Sequence, residues 1–105
     1  MANHTAVLTA LADPTRRAIF ERLAQSPSPV GELARELPVS RPAVSQHLKA
    51  LKSAGLVTDH PAGTRRVYSV DPGGLAAIRD YFNRFWQQSL ARFQSATSQP
   101  IQEET

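Results

Sequence analysis

The segment from residue 30 to residue 55 constrains the fold most strongly, because it predicts two short helices separated by a tight turn. Apolar residues recur at helical spacing in both helices: Val30, Leu33, Ala34 and Leu37 in the first, and Val44, Leu48 and Leu51 in the second. Pro38 ends the first helix, and Ser40 is placed to cap the second, with Pro42 in its first turn. Gly55 suits the left-handed position that closes a helix.

Two extended runs follow the helix pair and predict a β-hairpin. The runs cover residues 56–59 and 65–70, and the loop between them contains Pro61 and Gly63. Val67 and Tyr68, in the second run, have high strand propensity. A helix-turn-helix over about residues 30–54, followed by a hairpin over about residues 56–70, is the pattern of a winged helix-turn-helix.

Helices are predicted on both sides of this unit. One covers about residues 4–12. A second begins at Asp13-Pro14, with Asp13 as its cap and Pro14 at its first position, and a long last helix covers about residues 72–95 with Asp71 as its cap. Residues 26–29, Ser-Pro-Ser-Pro, read as a helix breaker. We therefore predict a mainly α fold with a small β-hairpin, about five helices plus a wing, in one domain over residues 1–96. Residues 97–105 have no periodic pattern and are predicted to be a disordered tail.

The outer face of the second helix of the pair has the chemistry of a DNA-reading surface. With Val44, Leu48 and Leu51 turned to the core, the outer face carries Arg41, Pro42, Ser45, Gln46, Lys49 and Ser53, and no acidic residue. Gln46 can pair with adenine, and Arg41 with guanine or a phosphate. Ser40, Ser45 and Lys49 are expected to bind phosphates. Between residues 41 and 70, five basic side chains stand against one acidic side chain, which favours a polyanionic partner. An ordinary solvated polar face is the alternative.

The tip of the hairpin gives a second, independent indication of DNA binding. Thr64, Arg65 and Arg66 follow Gly63, so two guanidinium groups lie just after a flexible tip. A wing of this kind can reach phosphates or the minor groove beside the bases read by the helix. Because successive strand residues point to opposite faces, we expect one of the two arginines to face DNA, and we favour Arg65.

Residues 41–51, Arg-Pro-Ala-Val-Ser-Gln-His-Leu-Lys-Ala-Leu, followed by Ala-Gly-Leu-Val at 54–57, resemble the ArsR/SmtB family of bacterial repressors. The similarity covers roughly residues 4–95, including Asp-Pro-Thr-Arg-Arg at 13–17 and Gly-Thr-Arg-Arg-Val-Tyr at 63–68. The resemblance implies a homodimer built from the first and last helices, which binds a pseudo-palindromic operator overlapping a promoter. Repression would follow because RNA polymerase is blocked.

The last helix also indicates a dimer by its own composition. It carries a stripe of large apolar residues that a core this small can cover only in part, and exposed stripes of this size favour association. The first helix is expected to contribute to the same interface. The predicted interface consists of Val7, Leu11, Leu75, Ile78, Phe82, Phe85, Trp86 and Phe93.

Other classes of function are disfavoured by the residues present. The chain has no cysteine, which excludes disulfides and thiolate metal sites, and His4, His47 and His60 form no ligand-spaced pair. We therefore predict no metal. Carboxylates are few and spread along the chain, and no glycine-rich phosphate loop is present, so we also predict no cofactor and no enzymatic activity. The apolar stretch near the N-terminus is too short for a signal peptide or a membrane span, so a soluble cytoplasmic protein is expected.

The sequence thus predicts a sequence-specific DNA-binding regulator, most simply a homodimeric repressor of double-stranded DNA operators. Two alternatives stay open: a winged-helix module that binds proteins, and a repressor that responds to a metal through a site without cysteines. The pattern of residues does not specify the operator, the regulated genes, any inducer, or repression as opposed to activation.

Overall fold

The computed structural model describes residues 2–98 and confirms the winged helix-turn-helix layout. The helices are α1 (His4–Ala12), α2 (Pro14–Gln25), α3 (Val30–Glu36), α4 (Arg41–Ser53) and α5 (Pro72–Ser98). The strands are β1 (Ser28–Pro29), β2 (Val57–Ala62) and β3 (Arg65–Val70). In this layout α3 and α4 form the helix-turn-helix, and β2 and β3 form the wing.

Side-chain caps explain where several helices begin. Asn3 accepts a hydrogen bond from the backbone N–H of Ala6 at 2.9 Å at the start of α1, and Asp13 accepts one from Arg16 at 2.9 Å at the start of α2. Ser40 caps α4 in the same way. Each cap satisfies an N–H group that has no partner inside its helix. The predicted caps at Asp13 and Ser40 are confirmed.

The sheet has one strand more than the sequence predicted. Residues 26–29 do break the helix, but Ser28 and Pro29 also pair antiparallel with Tyr68 and Val67, which gives the strand order β1-β3-β2. The prediction of a simple breaker was incomplete, because this pairing satisfies a free edge of β3 that is distant in sequence.

The wing is also longer than predicted. β2 continues through Pro61 to Ala62, so only Gly63 and Thr64 connect the two strands. Pro61 is tolerated because β2 lies at the edge of the sheet. Gly63 has a positive φ of 66°, which the tight turn requires.

The core lies where α1 to α4 meet the base of the wing. Its buried members come from every element except β1, β3 and α5: Val7, Ala10, Ile19, Phe20, Leu23, Leu33, Val44, Leu48, Leu51, Ala54, Leu56 and Val57. Tyr68, Val70, Ala77 and Ile78 pack against this cluster from β3 and α5. The core therefore fixes α4 and the wing relative to one another.

Helix α5 extends well beyond this core. Its 27 residues correspond to about 40 Å of helix, and the molecule measures 72 × 27 × 21 Å. The helix ends at Ser98, three residues later than predicted, so the first two residues of the predicted tail are helical. The rest of that tail, residues 99–105, lies outside the described residues.

Candidate DNA interface

The outer face of α4 is accessible along its length. Every residue predicted to contact DNA from this helix is exposed: Ser40, Arg41, Pro42, Ser45, Gln46 and Lys49. Ser40 also uses its Oγ to accept a hydrogen bond from the N–H of Ala43 at 3.3 Å, so its first role is to begin the helix. The N-terminal end of α4 thus presents exposed polar side chains at the positive end of the helix dipole, which suits phosphate and base contacts.

The position of α4 is fixed at both ends and along one side. Leu48 and Leu51 are fully buried on its inner face. At the C-terminal end, Gly55 has a φ of 81°, and the N–H groups of Gly55 and Leu56 donate to the carbonyls of Lys52 and Leu51 at 3.0 Å. This is a Schellman closure, which confirms the predicted role of Gly55. A helix held in this way can present its outer face in one orientation.

A groove of about 450 Å³ separates the wing from the first turns of α3 and α4. The residues around it include four arginines: Arg35 from α3, Arg41 from α4, and Arg65 and Arg66 from β3. Thr64 lies at the same rim. The fold therefore brings together side chains that were predicted from two separate sequence motifs, while Gln46 and Lys49 lie further along α4.

Arg35 and Glu32 belong to this groove and were missed by the sequence analysis. Both lie on α3, for which the sequence predicted only the apolar stripe that faces the core. The available signal was their position off the apolar stripe of that helix, but only the packing of α3 against the wing shows which neighbours they have. Among the described residues that line the groove, Glu32 is the single carboxylate.

Arg65 and Glu32 approach each other across the groove. Arg65 Nη1 lies 4.0 Å from Glu32 Oε1, and the two side chains are 64% and 39% exposed. The second oxygen of Glu32, Oε2, accepts a hydrogen bond from the Oγ of the buried Ser28 at 3.2 Å. A solvent-exposed pair at this separation is weak, so Arg65 keeps most of its capacity to bind a phosphate.

Arg66 is held much more tightly than Arg65. Its Nε lies 2.5 Å from Asp59 Oδ2, and Lys52 Nζ lies 2.6 Å from Asp59 Oδ1. Hydrogen bonds from Lys52 and from Arg66 hold the pKa of the Asp59 carboxyl below its usual range. Arg66 therefore already has a charged partner within the wing, whereas the acidic partner of Arg65 among the described residues is the more distant Glu32.

The predicted dimer residues divide into two groups. Val7 is fully buried in the protomer's own core, and Leu11 and Ile78 pack partly against that core. Val7 therefore has no surface left for a partner, because the first helix turns it inward. Five members on α5 each expose between 42% and 70% of their surface to solvent: Leu75, Phe82, Phe85, Trp86 and Phe93. These five residues are called the α5 apolar face below.

The described residues contain neither a membrane span nor a metal cluster. No helix within residues 2–98 is long and apolar enough to cross a membrane. Over the same range, no group of three or more His, Asp or Glu side chains is arranged to hold a metal ion.

A helix-turn-helix whose second helix presents an acid-free polar face beside an arginine-lined wing defines a winged helix-turn-helix DNA-binding protein. Comparisons with known proteins agree. A family model described as a helix-turn-helix domain matches residues 11–60. The chain is 69% identical over 84 residues to the HTH-type transcriptional regulator Rv2034 of Mycobacterium tuberculosis, covering 80% of this chain and 78% of that relative. It is 37% identical over 65 residues to the transcriptional repressor SdpR of Bacillus subtilis, covering 62% of this chain and 72% of the relative.

Among solved structures, the ArsR-like transcriptional regulator from Rhodococcus sp. RHA1 superposes with a TM-score of 0.73 at 32% identity, covering 87% of this chain and 89% of that chain. The chain belongs to the ArsR/SmtB family of winged helix-turn-helix transcriptional regulators. It is a DNA-binding transcriptional regulator, as the sequence predicted, and its family is one of regulators rather than enzymes.

Proposed function

We propose that this protein is a homodimeric repressor that binds a pseudo-palindromic operator through α4 and the wing. The observation that carries the proposal is the exposed face of α4, free of acidic side chains, beside a groove lined by arginines. Such a surface can read base edges with the helix while the wing binds the flanking phosphates. The proposed function includes no catalytic step and requires no cofactor.

The contacts are assigned by side-chain chemistry and position. Gln46 reads adenine in the major groove, and Arg41 reads guanine or binds a phosphate at the start of α4. Ser40, Pro42, Ser45 and Lys49 follow the backbone of the DNA along the same helix, and Thr64 and Arg65 follow it from the wing. Arg66, the remaining wing arginine, supports the wing through Asp59 and is not given a direct phosphate contact.

The α5 apolar face supports the dimer. Four aromatic side chains and a leucine are exposed on one helix that extends beyond the core, and water contacts with apolar surface of this kind are unfavourable. A second copy of the chain can cover this face by packing α5 against α5. In a twofold-symmetric dimer of this kind, binding to two half-sites one turn of DNA apart requires the two α4 helices to lie about 34 Å apart.

Selection from a random-sequence duplex library tests sequence-specific binding and identifies the bound sequence, and a promoter assay then tests repression. We expect an inverted repeat whose half-sites are centred about 10 base pairs apart, and an affinity that falls steeply as salt is raised. A promoter carrying the selected sequence should then give less transcript when the protein is present. Enrichment of a single isolated half-site, or of no sequence, would contradict the proposal.

A further inference from the structure

The Asp59 carboxylate bridges two elements that contact DNA in the proposed function. Oδ1 lies 2.6 Å from Lys52 Nζ in the last turn of α4, and Oδ2 lies 2.5 Å from Arg66 Nε on β3. The Asp59 side chain is 5% exposed, whereas Lys52 and Arg66 are 55% and 56% exposed. One shielded anion is therefore flanked by two cations whose outer parts remain in contact with water.

The strand register explains how the bridge forms. Asp59 lies directly opposite Tyr68 in the pairing of β2 with β3. Arg66 precedes Tyr68 by two residues, so its side chain leaves the same face of the hairpin and meets Asp59 diagonally. Because Lys52 comes from α4, the contact with Asp59 joins the helix to both strands of the wing.

The bridge has two consequences for binding. Together with the core, it holds the middle of the wing against the last turn of α4, so that the two reading elements approach the duplex as a unit. It also satisfies Arg66, which would otherwise be free to bind any phosphate whatever the base sequence.

We propose that Asp59 is a positioning residue for specificity: it ties the wing to α4 and withholds Arg66 from the phosphate backbone. The inference rests on the proposed function, since it assumes that α4 and the wing contact the same duplex. In this arrangement Asp59 lowers binding to arbitrary DNA and preserves the geometry needed for binding to the operator.

The test compares wild-type protein with Asp59→Asn on two duplexes, the sequence selected from the random library and a scrambled sequence of equal composition. Asparagine has nearly the same shape but no charge to hold the two cations. We expect the variant to bind the scrambled duplex about three-fold more tightly. We also expect the slope of log K against log salt on that duplex to steepen by about 0.9, because Arg66 becomes available to a phosphate. The ratio of the affinity for the selected duplex to the affinity for the scrambled duplex should fall.

Two further variants separate this role from a change in charge or in stability. Glu21→Gln removes one exposed carboxylate from α2, and should leave the ratio and the slope as in wild type. Lys52→Gln cuts the tie to α4 while the Asp59–Arg66 pair remains, so it should lower the ratio without steepening the slope. Lys52→Gln also decides the question if Asp59→Asn fails to fold.

The outcomes distinguish the inference from the function on which it rests. A wild-type protein that binds both duplexes equally would overturn the proposed sequence-specific function and this inference together. A wild-type protein with a clear preference, and variants at Asp59 and Lys52 that keep the same ratio and slope, would overturn this inference alone. Equal weakening on both duplexes, with a matching loss of thermal stability, would reduce Asp59 to a purely structural role and also overturn it.

Discussion

At the scale of single residues, the environment of a side chain decides its role more than its type does. Arg65 and Arg66 are neighbours in the chain, yet their environments differ. Arg65 lies 4.0 Å from the partly exposed carboxylate of Glu32, whereas Arg66 lies 2.5 Å from the shielded carboxylate of Asp59. Both border the groove, but as successive strand residues their side chains leave in different directions, and each meets its own partner. Sequence reasoning favoured Arg65 as the DNA contact from its closeness to the tip, and the geometry supports the same assignment for a different reason.

Two substitutions should separate phosphate binding from base reading. Arg65→Ala removes the proposed phosphate contact, so binding to all duplexes should weaken by a similar factor and the salt slope should decrease by about 0.9. Gln46→Ala removes the proposed base contact, so it should relax preference at one position of each half-site, at a cost of about 1–3 kcal/mol on the selected sequence. Affinities measured on a panel of single-base variants distinguish the two patterns. An unchanged base profile for Gln46→Ala would place the reading surface elsewhere.

At the scale of elements, close backbone packing at one corner sets the direction of α5. The N–H of Asp71 donates to the carbonyl of Leu56 at 2.8 Å, and Asp71 Oδ1 accepts from the N–H of Gly73 at 2.9 Å as the predicted cap. Gly74 lies directly against the end of α4, where a Cβ atom would come within 2.5 Å of the carbonyl oxygen of Gly55. The chain can turn from the wing into α5 here only because Gly74 has no side chain.

A pair of glycine substitutions tests this packing. Gly74→Ala should lower the free energy of unfolding by about 1–3 kcal/mol, because backbone atoms of Gly55 and Leu56 must shift. Gly31→Ala is the control, since a Cβ at that position in α3 meets no atom within 4 Å. It should raise the free energy by about 0.5–1 kcal/mol through a less flexible unfolded chain. Denaturant unfolding measures both values, and a neutral Gly74→Ala would contradict the close approach.

At the scale of the whole molecule, the protein has a small core and a long helix that the core cannot cover. The outer groove on α5, between Phe82, Phe85 and Trp86, is bordered by Arg79 and Asn83. Tyr81, on the side facing α1, stacks on His4 with ring centroids 4.0 Å apart. One side of α5 thus packs within the protomer, and the other presents the α5 apolar face.

Charge placed in the α5 apolar face should break the proposed dimer. Phe85→Glu would bury a carboxylate between two copies, which is strongly unfavourable without a partner. Sedimentation should therefore show a monomer for this variant and a dimer for the wild type. Gln87→Glu adds the same charge to a different side of α5 and should leave the dimer intact. A full dimer of Phe85→Glu would move the interface to another surface.

Acid should weaken the fold through three carboxylates whose pKa values are lowered. A hydrogen bond from the backbone N–H of Arg16 lowers the pKa of Asp13. A side-chain hydrogen bond from Arg22 lowers the pKa of Glu36. Hydrogen bonds from Lys52 and Arg66 lower the pKa of Asp59. Since each pKa is lower in the folded protein than in the unfolded chain, the folded state binds fewer protons near these pKa values. The stabilisation is therefore complete above the ordinary carboxyl values of 3.8 and 4.5 and is lost as pH falls through the folded values.

Urea unfolding at fixed protein concentration, from about pH 7 to about pH 3, checks this sign. The urea concentration at the midpoint of unfolding should be constant near neutral pH and should decrease once the pH is below about 4.5. Glu36→Gln should show a smaller fall, because one of the three groups no longer titrates. A midpoint that rises on acidification would contradict the linkage.

The sequence alone determined those features whose causes are local. Caps at Asp13 and Ser40, the left-handed Gly55 and the apolar spacing of α4 depend on residues within a few positions of one another, so pattern and propensity were sufficient to predict them. The polar face of α4 followed from the same periodicity, as did most of the candidate DNA contacts.

Only the tertiary structure decided features that depend on residues far apart in the chain. Ser28 and Pro29 form a strand because they pair with the free edge of β3. Val7 is unavailable to the predicted dimer interface because the protomer's own core buries it. Arg35 and Glu32 joined the groove when α3 packed beside the wing. Electrostatic partners such as Asp59 and Lys52 are set by distance in space, which no local pattern encodes.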